Sequence, residues 1–303
     1  MMLSRTSPNN NSHILILGHT GFIGKNLMKY LERKLPEVEI VGKSSGDIDL
    51  TSDKCTTLLE NCFLSNTILV ILSGIKRQFG DSIDNFEKNL KMIENVCRAL
   101  SNKKIGRVIY FSSVVVYGED IPNLAITEET QIIPRTYYAL AKYASEQLLL
   151  MEVKKKIKDL LILRPTTVYG PGDTDDTYGP EKFTNAAINN KKIELWGDGS
   201  EYRDFIYIDD LLEIFYRLIC KNSTGIFNLA TGESHSFRDV INIVQSTAGK
   251  GLSISNRLRT KDKVDNKFNV KYLLNEIDNF TFTPLNKGIE RLYYELMKNN
   301  GKC

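Results

Sequence analysis

The sequence has no surplus of either charge: 40 lysines and arginines face 37 aspartates and glutamates, a net charge of +3. Grip on a nucleic-acid backbone calls for a strong basic excess, so that class of partner is excluded, while an anionic small molecule needs only a local basic site. Cysteine is scarce and scattered. Cys55, Cys62, Cys97, Cys220 and Cys303 are odd in number and form no CxxC pair, which excludes a disulfide framework and a zinc site and leaves no metal expected. Long apolar runs are missing too. The longest, around 67–72, is far too short to span a bilayer, and the opening MMLSRTSPNNNSH lacks the apolar core of a signal peptide. The expectation is a cytoplasmic, soluble protein with no membrane partner.

What is present is an alternation. Apolar, β-rich runs at 14–17, 38–42, 67–72, 107–113 and 160–164 are separated by helical patterns near 23–34, 53–63, 83–101 and 137–156. Continuous apolar strands interleaved with helices predict a doubly wound parallel sheet of the α/β class, covered on both faces. After Arg164 the texture changes: Gly and Pro cluster at 170–180, and strand-like runs recur at 193–197, 205–208 and 226–230. Helices are expected at 181–190, from Asp209, from near Ser236 and at about 285–298. The reading is a loose tail over 1–12 and a sheet domain over 13–165, joined again by about 204–232. A smaller lobe is expected from 166–203 and 233–303.

The run ILILGHTGFIG sets Gly18, Gly21 and Gly24 after a strand and at the start of a helix. In that setting each glycine has a role: Gly18 makes the tight turn, Gly21 admits a pyrophosphate, and Gly24 lets the helix pack on the strand. The helix N-terminus then offers free N–H groups to the anion. His19 reads as a spacer. After the second strand come Lys43, Ser44 and Ser45, with no acid until Asp47. A carboxylate at once after the strand would take the ribose hydroxyls of NAD. A lysine and two hydroxyls suit a 2′-phosphate, which favours NADPH, with NAD the alternative; the plain reading of Lys43 is a solvated surface charge.

The chemistry is expected in RVIYFSSVVVYG and YYALAKYASEQLL. Tyr138 and Lys142 are four apart on a predicted helix and share a face. A phenol with pKa near 10 is a poor acid or base at neutral pH, and a neighbouring ammonium stabilises its anion. Ser112 and Ser113 close a strand at the carboxyl edge, where open α/β sheets place their ligands. Tyr137, five residues from Lys142, is the rival phenol and reads as packing. YxxxK alone is a common chance spacing; its weight here comes from following the serine pair and the glycine loop in order.

Together GHTGFIG (18–24), Asn89, FSSVVVYG (111–118), YALAK (138–142), LRPTTVYGPGD (163–173), GDGSEYRDFIYIDD (197–210) and FNLATGE (227–233) resemble the extended short-chain dehydrogenase/reductases, the epimerase/dehydratase group acting on nucleotide sugars. The resemblance implies Ser113, Tyr138 and Lys142 as catalytic residues. It implies dinucleotide contacts from Gly18, Thr20, Gly21, Phe22, Ile23, Gly24, Lys43, Ser44, Asp47 and Ile48. Further contacts would come from Leu72, Ser73, Gly74, Asn89, Ser112, Pro165 and Val168, besides Tyr138 and Lys142. Ser113, Val115 and Thr167 would meet the sugar, and Arg203 the nucleotide diphosphate, for which a guanidinium fork is suited; a surface salt bridge is the plain reading of Arg203 alone. Family members often dimerise through two helices, here 83–101 and 137–156, which implies a homodimer.

Departures from the family pattern narrow the reaction. Sugar 4,6-dehydratases carry Asp-Glu after the active hydroxyl residue, where this chain has Val114 and Val115. The short crossing from the second strand to Asp47-Ile48 resembles the 4-keto-6-deoxysugar reductases. Thr167 stands where the family has Asn, and Leu72-Ser73-Gly74 where it has Leu-Ala-Ala. The resemblance thus implies an NADPH-dependent reductase of a nucleotide-linked 4-keto-6-deoxyhexose, such as dTDP-4-dehydro-6-deoxyglucose, in deoxysugar and surface-polysaccharide biosynthesis. A UDP-sugar 4-epimerase holding NAD is the alternative. A non-catalytic Rossmann protein that senses dinucleotide redox state is the reading from another class; it would need the glycine loop but not the Ser–Tyr–Lys set.

Overall fold

Runs such as HILIL and TILVI, rich in branched apolar side chains and bounded by turn residues, are too short to bury themselves as helices and fold as strands sealed on both faces. A computed structural model describes residue 8 and residues 12–156, 159–173, 178–259 and 262–299. The tail expected over 1–12 lies outside the described residues apart from Pro8 and Ser12. The strands are β1 (His13–Leu17), β2 (Glu39–Lys43), β3 (Thr67–Ile71), β4 (Arg107–Phe111), β5 (Asn123–Ile126), β6 (Leu160–Pro165) and β7 (Thr167–Tyr169). They continue as β8 (Ile193–Trp196), β9 (Tyr202–Tyr207), β10 (Gly225–Leu229), β11 (Ser234–Ser236), β12 (Ile254–Arg257) and β13 (Asn266–Phe268). The helices are α1 (Phe22–Lys34), α2 (Cys55–Cys62), α3 (Ile83–Asn102), α4 (Tyr137–Lys156) and α5 (Pro180–Ile188). They are followed by α6 (Ile208–Cys220), α7 (Phe237–Ala248), α8 (Lys271–Ile277) and α9 (Leu285–Asn299).

By its contacts the chain divides into two units, the first of Met1–Gly118, Gln131–Pro165 and Leu212–Asn228 and the second of the remainder. The first unit holds a six-stranded sheet in the order β10-β6-β4-β3-β1-β2. The pairs β1–β2, β1–β3, β3–β4 and β4–β6 all run parallel. This is the Rossmann-type doubly wound α/β architecture expected. Strand order reverses between β1 and β3, the switch point outside whose carboxyl ends such sheets bind ligands. Successive side chains leave opposite faces. Tyr110 sits in a core cluster with Leu59, Val96 and Leu149, from α2, α3 and α4. Its neighbour Phe111 stacks on Phe215 of α6, with ring centres 5.8 Å apart.

The second unit is built from short pieces: a three-stranded sheet β11-β9-β7 and the two-stranded pairs β12–β8 and β13–β5, with α5, α7, α8 and α9. Its aromatic core gathers Tyr178, Phe183, Phe205 and Phe237. Two segments differ from the sequence reading. The strand at 205–208 pairs with β7 and β11 and not with the main sheet, so the returning segment runs over Leu212–Asn228 and not about 204–232. Residues Glu119–Thr130 go with the second unit, because β5 pairs with β13. Among the described residues no helix is long and apolar enough to cross a membrane.

Candidate active site

β1 ends at Leu17 and the chain turns on Gly18, whose φ of +87° only glycine adopts freely. A Cβ on Gly18 would stand 2.9 Å from the backbone nitrogen of Ser73, so the glycine loop and the loop after β3 touch through bare backbone. The Gly18 N–H donates to the Lys43 carbonyl at 2.8 Å, tying the turn to the end of β2. A Cβ on Gly24 would lie 2.7 Å from His19 Cα and closer still to Gly18 O. The intimate packing of α1 is therefore against the loop's own backbone, where the sequence reading had the strand. A Cβ on Gly21 would meet Gly18 O at 3.5 Å and, its chain neighbours aside, no other described atom within 4 Å. Gly21 caps α1 without a side-chain bond, and the first turn of α1 carries no acid. An open backbone cradle before an uncapped helix N-terminus fits a pyrophosphate. Thr20, Phe22 and Ile23 complete this turn, with Thr20 exposed and Phe22 buried.

The His19 ring lies over Gly42, where a Cβ would stand 2.7 Å from Cδ2. Its Nδ1 is buried with no hydrogen-bond partner among the described residues. Beyond β2, the N–H and hydroxyl of Ser44 donate to one oxygen of Asp47 at 2.8 and 2.6 Å. These bonds hold the Asp47 carboxyl below the usual carboxylate range, with Lys43 and His19 adding to the effect. Asp47 thus closes its own turn. Ile48 is packed in the core, 5% exposed.

The serines follow β4. Ser112 N still donates to Leu163 O at 2.7 Å, while its hydroxyl is buried with no partner among the described residues. Ser113 is half-buried and caps a 3-10 turn, Val114–Tyr117, accepting from Val115 N at 3.4 Å. α4 then brings up the phenol and the amine. Thr136 Oγ1 accepts from Ala139 N at 3.1 Å, and Asp81 Oδ1 from Tyr138 N at 3.0 Å, so two oxygens satisfy N–H groups of its first turn. Lys142 is buried, with Nζ donating to Phe111 O at 2.8 Å and lying 5.8 Å from the centre of the Tyr138 ring and 5.0 Å from that of Tyr110. Burial pushes its pKa down to about 8, against an upward pull from Glu146. Tyr137 points elsewhere, 45% exposed and with its ring 6.5 Å from that of Phe86.

A Cβ on Gly74 would stand 3.6 Å from Lys142 Nζ and 3.5 Å from Asn89 Oδ1. The loop after β3 therefore runs between α3 and the lysine. Asn89 holds that loop, accepting from Ile75 N at 2.7 Å and donating to Ile75 O at 3.0 Å. Leu72 N donates to Leu17 O at 2.9 Å. Pro165 closes β6. Thr167 and Val168 lie in β7, and Arg203 in β9, all in the second unit apart from Pro165. The Arg203 guanidinium donates to Tyr202 O and Val264 O at 2.9 and 2.5 Å and pairs with Glu201.

One group at this site escaped the sequence reading. Glu146, one turn beyond Lys142, is fully buried and takes two bonds from Arg164, at 3.0 Å to Oε1 and 2.6 Å to Oε2. Arg164 also donates to the Tyr117 hydroxyl at 2.7 Å, and Tyr117 donates to Asn228 Oδ1 at 2.8 Å. The signal was present as a third member of the Tyr138–Lys142–Glu146 spacing and as an arginine ending the apolar run LLILR.

A family model described as the NAD dependent epimerase/dehydratase family matches residues 14–230. The chain is 27% identical over 261 residues to a dTDP-D-glucose 4,6-dehydratase of Dictyostelium discoideum, covering 75% of this chain and 60% of that protein. It is 27% identical over 292 residues to a GDP-6-deoxy-D-talose 4-dehydrogenase of Aggregatibacter actinomycetemcomitans, covering 92% of this chain and 96% of that one. The chain spans 40 to 60% of the length of the first three curated relatives it matches. Among solved structures, RMD from Pseudomonas aeruginosa complexed with NADPH superposes with a TM-score of 0.81 at 22% identity, over 95% of this chain and all of that one.

Proposed function

Because the chain belongs to the NAD dependent epimerase/dehydratase family, we propose that it reduces the 4-keto group of a nucleotide-linked 4-keto-6-deoxyhexose, with NADPH as reductant. The observation that carries the reading is the buried ammonium of Lys142 set 5.8 Å from the Tyr138 ring and bonded to the carbonyl of Phe111, the residue before the two serines. Bound NADPH supplies the hydride. Tyr138 gives its phenolic proton to O4 as negative charge develops there, Ser113 donates a hydrogen bond to the same oxygen, and Lys142 stabilises the phenolate left behind. Two features support reduction over elimination of water. Val114 and Val115 follow Ser113 and offer no carboxylate, and the relative spanning 92% of this chain bears the name of a 4-dehydrogenase of a 6-deoxy sugar nucleotide. NADPH is supported by Lys43 at the end of β2 and by the engagement of Asp47 with Ser44.

The test is incubation with a panel of dTDP-, GDP- and UDP-linked 4-keto-6-deoxyhexoses and NADPH or NADH, following reduced-nicotinamide absorbance and identifying products by NMR. Stoichiometric oxidation of NADPH with formation of a 4-hydroxy sugar is expected. Interconversion of UDP-sugar 4-epimers with no net absorbance change would replace the reading by epimerisation. Tyr138→Phe should lower kcat by about 10² to 10⁴ while leaving dinucleotide affinity within about twofold; a variant of undiminished turnover refutes the role of the phenol.

A further inference from the structure

The buried surroundings of Lys142 hold more charge than the reaction needs. Nζ lies against the Phe111 carbonyl and the Tyr110 ring from β4, the Tyr138 ring from its own helix and uncharged Gly74 from the β3 loop, while Glu146 is buried one turn further along α4 and pulls on the lysine electrostatically. Among the described residues Glu146, buried and four residues along the same helix, is the carboxylate that bears on the lysine. Arg164, whose guanidinium is held charged by the same carboxylate and by Tyr117, grips both Glu146 oxygens. The grip is fixed from behind by the Tyr117–Asn228 bond.

We propose that Glu146 is a positioning residue of the reaction: its Arg164-clamped carboxylate is the buried counter-charge that keeps Lys142 an ammonium beside Tyr138. The inference rests on the reading of Tyr138 and Lys142 given above. Its physics is a charge count. Lys142, Glu146, Arg164 and Tyr138 together carry one net positive charge while Tyr138 is a phenol, and none when it is a phenolate. A buried group of charges favours the neutral total, so the cluster favours release of the tyrosine proton. Without Glu146 two cations share one dry region. The guanidinium cannot shed its proton, so the lysine does, and the phenolate loses its partner. Arg164 does more than satisfy Glu146: bonding both oxygens leaves the carboxylate no freedom to swing to Lys142 and form a contact pair with it. The ammonium stays bonded to Phe111 O and turned toward Tyr138.

The experiment is an NMR titration of protein labelled with 13C-lysine, in wild type and Glu146→Gln, with the Lys142 signal assigned by its loss in Lys142→Met. Removal of the carboxylate should lower the Lys142 titration midpoint by at least one pH unit, a tenfold loss of proton affinity. The alkaline limb of the pH–rate profile should fall by the same amount. Where the single variant does not fold, the carboxylate is removed in an Arg164→Gln background instead: Glu146→Gln/Arg164→Gln should titrate Lys142 at least one pH unit below Arg164→Gln alone, and coincident midpoints in that pair likewise overturn the proposal. A midpoint that coincides with wild type, whatever the change in melting temperature, overturns the proposal and leaves Glu146 a purely structural ion-pair partner. A midpoint that moves while the rate profile stays put overturns the Tyr138–Lys142 mechanism itself, because the lysine's charge would then not matter to turnover.

Discussion

Replacing Lys142 by methionine should abolish turnover and yet make the protein more stable at neutral pH. Burial lowers the lysine from 10.5 to about 8 in the folded chain, a difference equivalent to about 3 kcal/mol of unfavourable free energy for carrying the charged form. Methionine is of similar length and removes that cost. It also removes the bond to Phe111 O and the contact with the Tyr110 ring, which together contribute about 1 to 2 kcal/mol. The net expectation is a gain of about 1 to 2 kcal/mol at pH 7. The sign of its pH dependence follows from proton counts. Between about 8 and 10.5 the unfolded chain binds the Lys142 proton and the folded one does not, so the stability of the wild type rises with pH through that window. Below about 8 the cost is present in full. The advantage of Lys142→Met should therefore be constant below about pH 8 and shrink steadily above it. Guanidinium unfolding of both proteins from pH 7 to 10, followed by far-ultraviolet circular dichroism, measures the difference. A variant less stable than wild type at pH 7, or a difference that does not change with pH, refutes the reasoning.

Two further outcomes follow from the same contacts. Gly24→Ala puts a methyl group against the backbone of Gly18 and His19, at 2.7 Å from His19 Cα, and neither can move without shifting the loop. Dinucleotide affinity measured by calorimetry should fall at least about tenfold, equivalent to about 1.4 kcal/mol, and unchanged affinity would show that the loop does not form the cradle. In the second unit, Asp204 is buried and accepts from Thr231 N and Oγ1, Gly232 N and Thr166 Oγ1; burial still pushes its carboxyl up to about 6. In Asp204→Asn either orientation of the amide turns an NH₂ toward a backbone N–H, so denaturant unfolding should show a loss of about 2 to 4 kcal/mol. A change below about 0.5 kcal/mol would mean the four donors are satisfied elsewhere.

The order of the chemistry was written in the chain. A strand, a glycine turn and a helix start are local patterns, and so is the four-residue spacing of Tyr138 and Lys142, because helix geometry alone puts them on one face. The parallel sheet was legible for the same reason: strands buried on both faces need apolar residues throughout, and HILIL, TILVI and LLILRP have them. The small second unit was read less well. β5, β7, β11 and β13 are three or four residues long, too short to show a period, and exist because partners distant in sequence complete their hydrogen bonds. β5 over Asn123–Ile126 pairs with Asn266 and Phe268, which no local rule connects.

What the sequence determined by itself is which groups are present and in what order along the chain. Tertiary structure alone decided their charge. Lys142 is buried because α4 lies against Phe111 and Tyr110, and that burial, not the spacing to Tyr138, lowers its proton affinity. Glu146 and Arg164, eighteen residues apart, become one ion pair only when a helix and a strand pack together. Asp47, a dinucleotide contact by resemblance, has one carboxylate oxygen bonded by Ser44 in a tight turn. Protonation depends on solvation and on charges within a few ångströms, and a one-dimensional string carries neither distance.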